Sequence, residues 1–241
     1  MPAPFTPFPN VFRPLDGIPD YLHPAFLARI DRESVRTIFE VGCMDGTDTL
    51  HLQRAFDGEI HAFECNPEIL PKTRASIAGL DRVHLVERAA WDSECVLPFF
   101  PVTAAVELGK PVHNPGASSC FRARPDYDHA QYTQKETTVQ AIRLDRYCAE
   151  QQITAIDLIC IDAQGAELRA LQGLGELIAT VRYIVSEIEV LPIYYGQAVY
   201  TEIHAYLKSH GFRQAAEVYR NPWFSDFLYI RDASGGRAPR S

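Results

Sequence analysis

An apolar run, Thr37-Ile38-Phe39-Glu40-Val41, is followed by two glycines four positions apart, Gly42 and Gly46, and then by a helical pattern. That order predicts a parallel strand handing its backbone to a small ligand at a strand-to-helix turn. Glycines in such a turn tolerate positive φ and leave the main chain open to the ligand. The spacing restricts the ligand. A dinucleotide loop runs Gly-x-Gly-x-x-Gly and sets a pyrophosphate on the N-terminus of the next helix. Here the pattern is Glu-x-Gly-x-x-x-Gly, with a carboxylate where a phosphate would be repelled. An acid suits a ligand bearing a cationic amine or a sulfonium. S-adenosylmethionine has both and no phosphate.

A second acid sits where a nucleoside needs one. Glu64 closes the next apolar run, Glu59-Ile60-His61-Ala62-Phe63, and Cys65-Asn66-Pro67 follows. It lies about 20 residues downstream of the glycine turn, where an acid ending the second strand of a βαβ unit meets a ribose. A carboxylate accepts from both ribose hydroxyls and so marks adenosine rather than phosphate. Glu40, Gly42, Cys43 and Gly46 are therefore expected to hold the methionine end of the ligand, and Glu64 with Cys65 the ribose.

The charge balance narrows the partners. With 23 Lys and Arg against 31 Asp and Glu, the formal charge is −8. That argues against non-specific nucleic-acid binding, which relies on cations neutralising phosphates. A length of 241 residues with 46% hydrophobic content suits one α/β domain with a sizeable core. No apolar run of about 20 residues is present, so no membrane span is expected. The Pro- and Phe-rich start, residues 1–19, lacks the basic-then-apolar order of a secretory signal. Six scattered cysteines, none in C-x-x-C spacing, read neither as a disulfide framework nor as a zinc ribbon. A reducing, cytoplasmic location is the simple expectation.

Along the chain, strand and helix patterns alternate. Residues 1–30 are expected to form a Pro/Phe-rich arm. Phe5, Phe8 and Phe12 would be pinned on the body or on the neighbouring subunit of a homodimer, with a short helix from Pro24. Residues 31–232 are read as one domain and 233–241 as a disordered tail. Strands are expected at about 36–41, 59–63 and 83–87. Helices are expected at about 46–56 and, with Asn66 as N-cap and Pro67 next, as far as about Ala78. Residues 89–93 read as a loop. Residues 101–138, with four prolines and two glycines, read as a long irregular insertion, the kind of segment that carries function, here a lid or substrate-facing loop. Further strands are expected at about 138–142, 155–161, 181–187, 212–218 and 224–230, the last two as an antiparallel hairpin. Helices are expected at about 144–151, 168–177 and 200–209. This order predicts a doubly wound, mostly parallel sheet with its ligand outside the carboxyl ends of the strands. Four acids that end strands, Glu40, Glu64, Asp162 and Glu187, should then share one rim.

Three segments carry a resemblance to a known family. They are Phe39-Glu40-Val41-Gly42-Cys43-Met44-Asp45-Gly46, Val139-Gln140-Ala141-Ile142-Arg143-Leu144-Asp145-Arg146-Tyr147, and Ile156-Asp157-Leu158-Ile159-Cys160-Ile161-Asp162-Ala163-Gln164-Gly165-Ala166-Glu167. The chain resembles S-adenosylmethionine-dependent methyltransferases of the FkbM family over about residues 36–230. The third segment is the most specific, because the family reads Ile-Asp-x-(Glu or Gln)-Gly-x-Glu there. Two departures are Glu40, where Asp is commoner, and Cys43-Met44-Asp45, in a loop that commonly reads Ala-Asn-x.

The resemblance implies a Rossmann-like class I methyltransferase fold, with a seven-stranded sheet whose last strand is antiparallel. It implies O-methylation of a hydroxylated small molecule such as a sugar or natural product. It also implies that adenine is held at Ala90-Trp91-Asp92, with Asp92 accepting from the exocyclic amine. A Ser-rich loop, Ser118 and Ser119, would meet the cofactor's carboxylate.

Asp162 is the foremost candidate for the chemistry. It ends a nearly all-apolar strand on the side where the methyl group should sit. Methyl transfer needs donor and acceptor aligned, worth about 7–11 kcal/mol in well-oriented systems. It also needs a proton removed from a weakly acidic hydroxyl, which a carboxylate with a burial-raised pKa can do. Alternatively, Asp162 and Glu187 share a divalent cation such as Mg²⁺ that lowers the acceptor's pKa. Glu167 is expected to begin the next helix, favoured by the macrodipole. His113 and His129 fall in the insertion that faces the acceptor. Tyr194, Tyr195 and Tyr200 either wall the acceptor site or pack. Two rival readings remain. An NAD-dependent oxidoreductase on a similar sheet needs a third glycine and phosphate donors near Gly46. A catalytically silent binding subunit would retain only the fold.

Overall fold

The computed structural model describes residues 10–232. The expectations for Phe5, Phe8 and the tail 233–241 lie outside the described residues. The first half of the chain runs β1 (Val11–Phe12), α1 (Pro24–Leu27), β2 (Thr37–Val41), α2 (Thr47–Ala55), β3 (Glu59–Phe63), α3 (Leu70–Ile77), β4 (Val83–Val86), β5 (Ala89–Trp91), β6 (Val96–Phe99), β7 (Val102–Glu107) and β8 (Lys110–Val112). It continues through β9 (Ala130–Gln134), β10 (Thr137–Arg143), α4 (Leu144–Gln151), β11 (Leu158–Ile161), α5 (Glu167–Gln172), β12 (Tyr183–Glu189), α6 (Tyr200–Ser209), β13 (Phe212–Tyr219) and β14 (Phe224–Arg231).

Among the described residues, one sheet has eight strands in the order β1-β13-β14-β12-β11-β2-β3-β4. Within it β14 alone runs antiparallel to its neighbours. Apart from the two-residue edge strand β1, this is the expected seven-stranded sheet with an antiparallel last strand. The central strand β11, Leu-Ile-Cys-Ile, is apolar on both faces because both are covered. Ile159 and Ile161 join Phe39, Val41 and Ile184 beneath α4, α5 and α6. Leu158 and Cys160 join Ile38, Ile60 and Val185 against α1 and α2. Each such fully buried aliphatic side chain contributes about 1.5–3 kcal/mol. Chain order reverses between β2 and β11, which lie side by side, and the loops after these two strands frame a crevice.

Several local expectations give way. Within the expected arm, Tyr21, Phe26 and Ile30 are buried in the core under β2 and β11. Val11 and Phe12 pair in parallel with Glu217 and Val218. Phe12 packs on the body, its ring 5.9 Å from His23 and 5.6 Å from the Arg29 guanidinium.

The stretch 101–138 is irregular only in part, over about 113–129. β7, β8 and β9 form a three-stranded antiparallel sheet ordered β8-β7-β9. Pro111 is tolerated because β8 is an edge strand that need not donate outward. The β7–β8 hairpin turns through Leu108 (φ 48°) and Gly109 (φ 78°), the two left-handed positions of a tight primed turn. Residues 89–91 are a strand rather than a loop, since β5 pairs with β10, Ala141 opposite Ala89.

Asn66 caps a turn ahead of α3, its Oδ1 accepting from the Glu68 N–H at 3.0 Å, so the helix starts at Leu70. The helix expected at 168–177 stops at Gln172, and the chain turns through Gly175 (φ 52°) into a short 3-10 helix, Gly175–Thr180. The insertion is fastened to the segment after β12. Ala123 bridges Tyr194, the Arg124 N–H donates to Ile193 O at 2.8 Å, and the Tyr195 N–H donates to Arg122 O at 2.9 Å.

Candidate active site

A cavity of about 210 Å³ lies in the crevice. Its floor is the β2–α2 turn, including Gly42, Cys43, Met44 and Asp45. One wall is Glu64, Cys65 and Asn66, continued by Arg88, Ala89 and Ala90. Asp162, Ala163 and Gln164 face it from β11, and Pro115, Gly116, Ser118 and Cys120 of the insertion cover it. Tyr21 and Asp48 also reach it.

The turn is held in place by main-chain geometry. Gly42, Met44 and Gly46 take φ of 87°, 45° and 81°. The glycines serve protein packing. A Cβ on Gly42 would overlap the Asp162 carbonyl oxygen, and one on Gly46 would come 2.8 Å from Cγ2 of Ile77 on α3. Gly42 lines the cavity as well, whereas Gly46 does not.

The four rim acids take different stations. Glu64 is nearly buried and lines the cavity. Its Oε1 accepts the N–H groups of Cys65 at 2.8 Å and Asn66 at 2.7 Å. Burial outweighs these bonds and pushes its pKa up to about 7. Glu40 points inward under α2 and does not line the cavity. It is fully buried, its Oε2 accepts from Thr49 Oγ1 at 2.6 Å, and its Oε1 has no partner. Burial pushes it up to about 8, so it is protonated at neutral pH.

Asp162 lines the cavity. Its pKa is pushed up to about 6 by burial, with Asp226 and Asp48 adding to the rise and the Gln164 hydrogen bond opposing it. Glu187, opposite Asp226 in the sheet, is half-buried and does not line this cavity. Burial and the charges of Asp162 and Asp226 drive its pKa well up.

Other expected residues fall off the cavity. Trp91 is buried against Phe121, and the Asp92 carboxylate pairs with Arg169 at 2.6 Å. Of the expected trio only Ala90 lines the cavity, together with its neighbour Ala89. Ser119 is buried, donating to Gln164 O at 2.7 Å and accepting from the Phe121 N–H at 2.9 Å. Its neighbour Ser118 lines the space. His113 and His129 are not among the lining residues. The three tyrosines do not form one wall. Tyr194 is buried beside Gln164, Tyr195 is exposed under Arg124, and Tyr200 bonds Gln214 at 2.7 Å. Glu167 does begin α5, and its Oε1 also accepts from the N–H groups of Ala163 (3.0 Å) and Gly165 (3.1 Å), bracing the loop after β11. Asp45, Asp48, Arg88 and Tyr21 were not foreseen. The first two were visible as acids beside the glycine turn, whereas Tyr21 comes from a segment with no motif.

The donor set fits S-adenosylmethionine. Among the described lining residues the acids are Asp45, Asp48, Glu64 and Asp162 against one guanidinium, Arg88, and with Asp45 paired to Lys72 at 2.7 Å the acids still outnumber it, which suits a ligand of net positive charge. Asp45 Oδ1 already accepts from the Thr47 N–H at 3.1 Å at the start of α2, so this helix end is closed to a pyrophosphate. The residues do not fit a divalent cation between Asp162 and Glu187. The Gln164 amide donates to both carboxylates there. Among the described residues no group of three His, Cys, Asp or Glu could hold a metal ion, and no helix is long and apolar enough to cross a membrane.

Comparison with known proteins agrees with this geometry. The model of a family described as "Methyltransferase FkbM domain" matches residues 40–214. The 2-O-methyltransferase NoeI of Sinorhizobium fredii is 29% identical over 163 residues, which are 66% of this chain and 66% of that protein. The chain thus spans just under two thirds of that relative's length. Among solved structures, the fibrillarin pre-rRNA processing protein of Methanococcus jannaschii superposes with a TM-score of 0.50 at 14% identity, covering 84% of this chain and 69% of that one. At that identity the likeness concerns the fold.

Proposed function

The chain belongs to the FkbM family of methyltransferases, and from that membership we propose that it methylates a hydroxyl oxygen of a small acceptor such as a sugar or natural product. The observation that carries this reading is the pairing of Glu64 and Asp162 on one cavity, either side of the Gly42 turn. Glu64 has the acceptor oxygens to take both ribose hydroxyls. Gly42, Cys43 and Asp48 would hold the amino-acid end, and Arg88, Ala89 and Ala90 would flank the base. When bound, S-adenosylmethionine supplies a methyl group on a sulfonium sulfur that leaves as a neutral thioether.

The protein's own part is alignment and proton transfer. An acceptor would enter beneath the 115–120 cover, beside Asp162. Asp162 takes the hydroxyl proton as the oxygen's electron pair forms the new bond to carbon. A carboxylate with a pKa near 6 is a better base than an ordinary aspartate and remains ionised at neutral pH. The 2-O-methyltransferase relative supports oxygen as the acceptor atom. Six free thiols support a reducing, cytoplasmic setting.

Turnover with a library of hydroxylated sugars and natural products tests the reading. Product analysis should place the new methyl group on oxygen. Asp162→Asn should bind S-adenosylmethionine yet lose turnover by about a hundredfold or more, in keeping with general-base catalysis. Methylation at nitrogen or carbon, or full activity of Asp162→Asn, would refute it.

A further inference from the structure

The side-chain amide of Gln164 stands between two carboxylates. Its Nε2 donates to Oδ1 of Asp162 at 2.6 Å and to Oε1 of Glu187 at 3.3 Å, and its Oε1 accepts from the Tyr194 hydroxyl at 2.8 Å. Both N–H donors and the carbonyl are thus engaged. Turning the amide over would set its oxygen against two acids, and Tyr194 adds to that preference when its one proton goes to Gln164 Oε1 rather than to the Ala117 carbonyl. Tyr194 is itself buried, and its hydroxyl also lies 3.0 Å from the Ala117 carbonyl oxygen. The Gln164 backbone is equally fixed. It takes a φ of 50°, its carbonyl accepts from Ser119, and the next residue, Gly165, leaves only 3.0 Å between a built Cβ and Cβ of Gln197.

We propose that Gln164, oriented by Tyr194, is a positioning residue that concentrates the single negative charge of the Asp162–Glu187 pair on Asp162, the carboxylate facing the cavity. With Oδ1 engaged by the amide, Oδ2 is the oxygen left to take the acceptor's proton. This rests on the reading of Asp162 as the base.

The surroundings require such a device. Asp226 faces the pair from β14 and is tied to Arg220 at 2.9 Å. Asp48 faces it from the first turn of α2, Glu64 from the end of β3, Glu167 from α5 and Glu189 from further along β12. In this company ionising both neighbouring carboxylates is disfavoured. The 2.6 Å bond favours the charge on Asp162, since hydrogen bonding to the ionised form stabilises it. Glu187 receives the longer bond and retains the proton.

The test is a carboxyl-carbon NMR titration of the free protein, with signals assigned through Asp162→Asn and Glu187→Gln. In the wild type Asp162 should ionise well before Glu187. In Gln164→Leu the Asp162 step should move up by about one pH unit or more. Tyr194→Phe, which removes only the hydroxyl, should shift it in the same direction by less. With any acceptor found in the library, the acidic limb of the kcat profile should follow, while affinity for S-adenosylmethionine changes by less than about threefold, a split that lost packing would not give. Asp162 titrating unchanged in both variants would overturn the proposal. Loss of activity in Asp162→Asn together with that unchanged titration would leave the base assignment standing and remove only the role of Gln164.

Discussion

The carbonyl oxygen of Asp162 lies where the first side-chain carbon of any residue other than glycine at position 42 would have to sit. Gly42 also has a φ of 87°, and Gly46 one of 81° with Ile77 as its neighbour. Gly42→Ala must therefore part β2 from β11 at the candidate base, whereas Gly46→Ala meets a side-chain methyl, Cγ2 of Ile77 on α3, rather than main chain. Both pay the left-handed penalty of about 1–2 kcal/mol. Urea denaturation should show Gly42→Ala as the more destabilised by at least about 1 kcal/mol. Equal losses would mean that the strand contact is soft.

Glu64 predicts a specific pattern of cofactor affinity. Hydrogen bonds to a charged group are worth about 1.5–3 kcal/mol each. Glu64→Ala should accordingly weaken S-adenosylmethionine and S-adenosylhomocysteine alike by roughly tenfold to a hundredfold or more in calorimetry. Equal weakening of both ligands would assign the contact to the nucleoside they share, and an unchanged affinity would place the ribose elsewhere.

Affinity should also depend on pH. Glu64 and Asp162 in the free protein have pKa values pushed up to about 7 and about 6 by burial. A cationic ligand favours their ionised forms, so binding expels protons and tightens as pH rises through that range, by at most about tenfold per pH unit for each proton released. Calorimetry in buffers of differing ionisation enthalpy counts those protons. Affinity that weakens on going from about pH 5.5 to about pH 7.5 would contradict the assignment.

Stability should run the other way. Glu40, raised to about 8, holds its proton more tightly folded than unfolded. Its contribution is fully present below the ordinary carboxylate range and is lost as pH climbs towards 8. Glu167, raised to about 7, and Asp226, raised to about 6, act in the same sense. Melting temperature should thus fall between about pH 5 and pH 8. Glu40→Gln keeps an acceptor for Thr49 without the charge and should flatten part of that fall, since each pKa unit corresponds to about 1.4 kcal/mol. A steeper decline in the variant would sink this account.

The hairpin in the insertion offers a test free of the site. Leu108 is 74% exposed and sits at a φ of 48°. Asn accepts that conformation and forms the preferred Asn-Gly pair with Gly109. Leu108→Asn should raise stability by about 0.5–1 kcal/mol, readable as a higher melting temperature.

The large sheet was legible because its strands announce themselves twice, by apolar runs and by the turns that follow. β3, α4 and α6 fall within their expected limits for that reason. The insertion was not legible, because its strands are short, half-exposed and interrupted by Pro111. Its Leu-Gly turn also lacks the Asn or Asp that marks most such hairpins. The place of Glu64 and Asp162 on the cavity was readable from their position just past a strand. That of Glu40 was not, since one residue of register decides whether an acid near a strand end lines the cavity or turns under the next helix. Trp91 was not readable either, since its ring packs on Phe121 of the insertion while Ala89 and Ala90 line the cavity. The Gln164 bridge could not be foreseen from spacing, because its partners Glu187 and Tyr194 are far away in sequence.

The backbone bonds between 122–124 and 193–195 have a consequence for how this scaffold diversifies. A substrate cover grafted from a relative would arrive without the ribbon it is stitched to. Chimaeras should fold only when both pieces are exchanged together, so new specificities would be inherited as paired cassettes rather than as single-loop swaps.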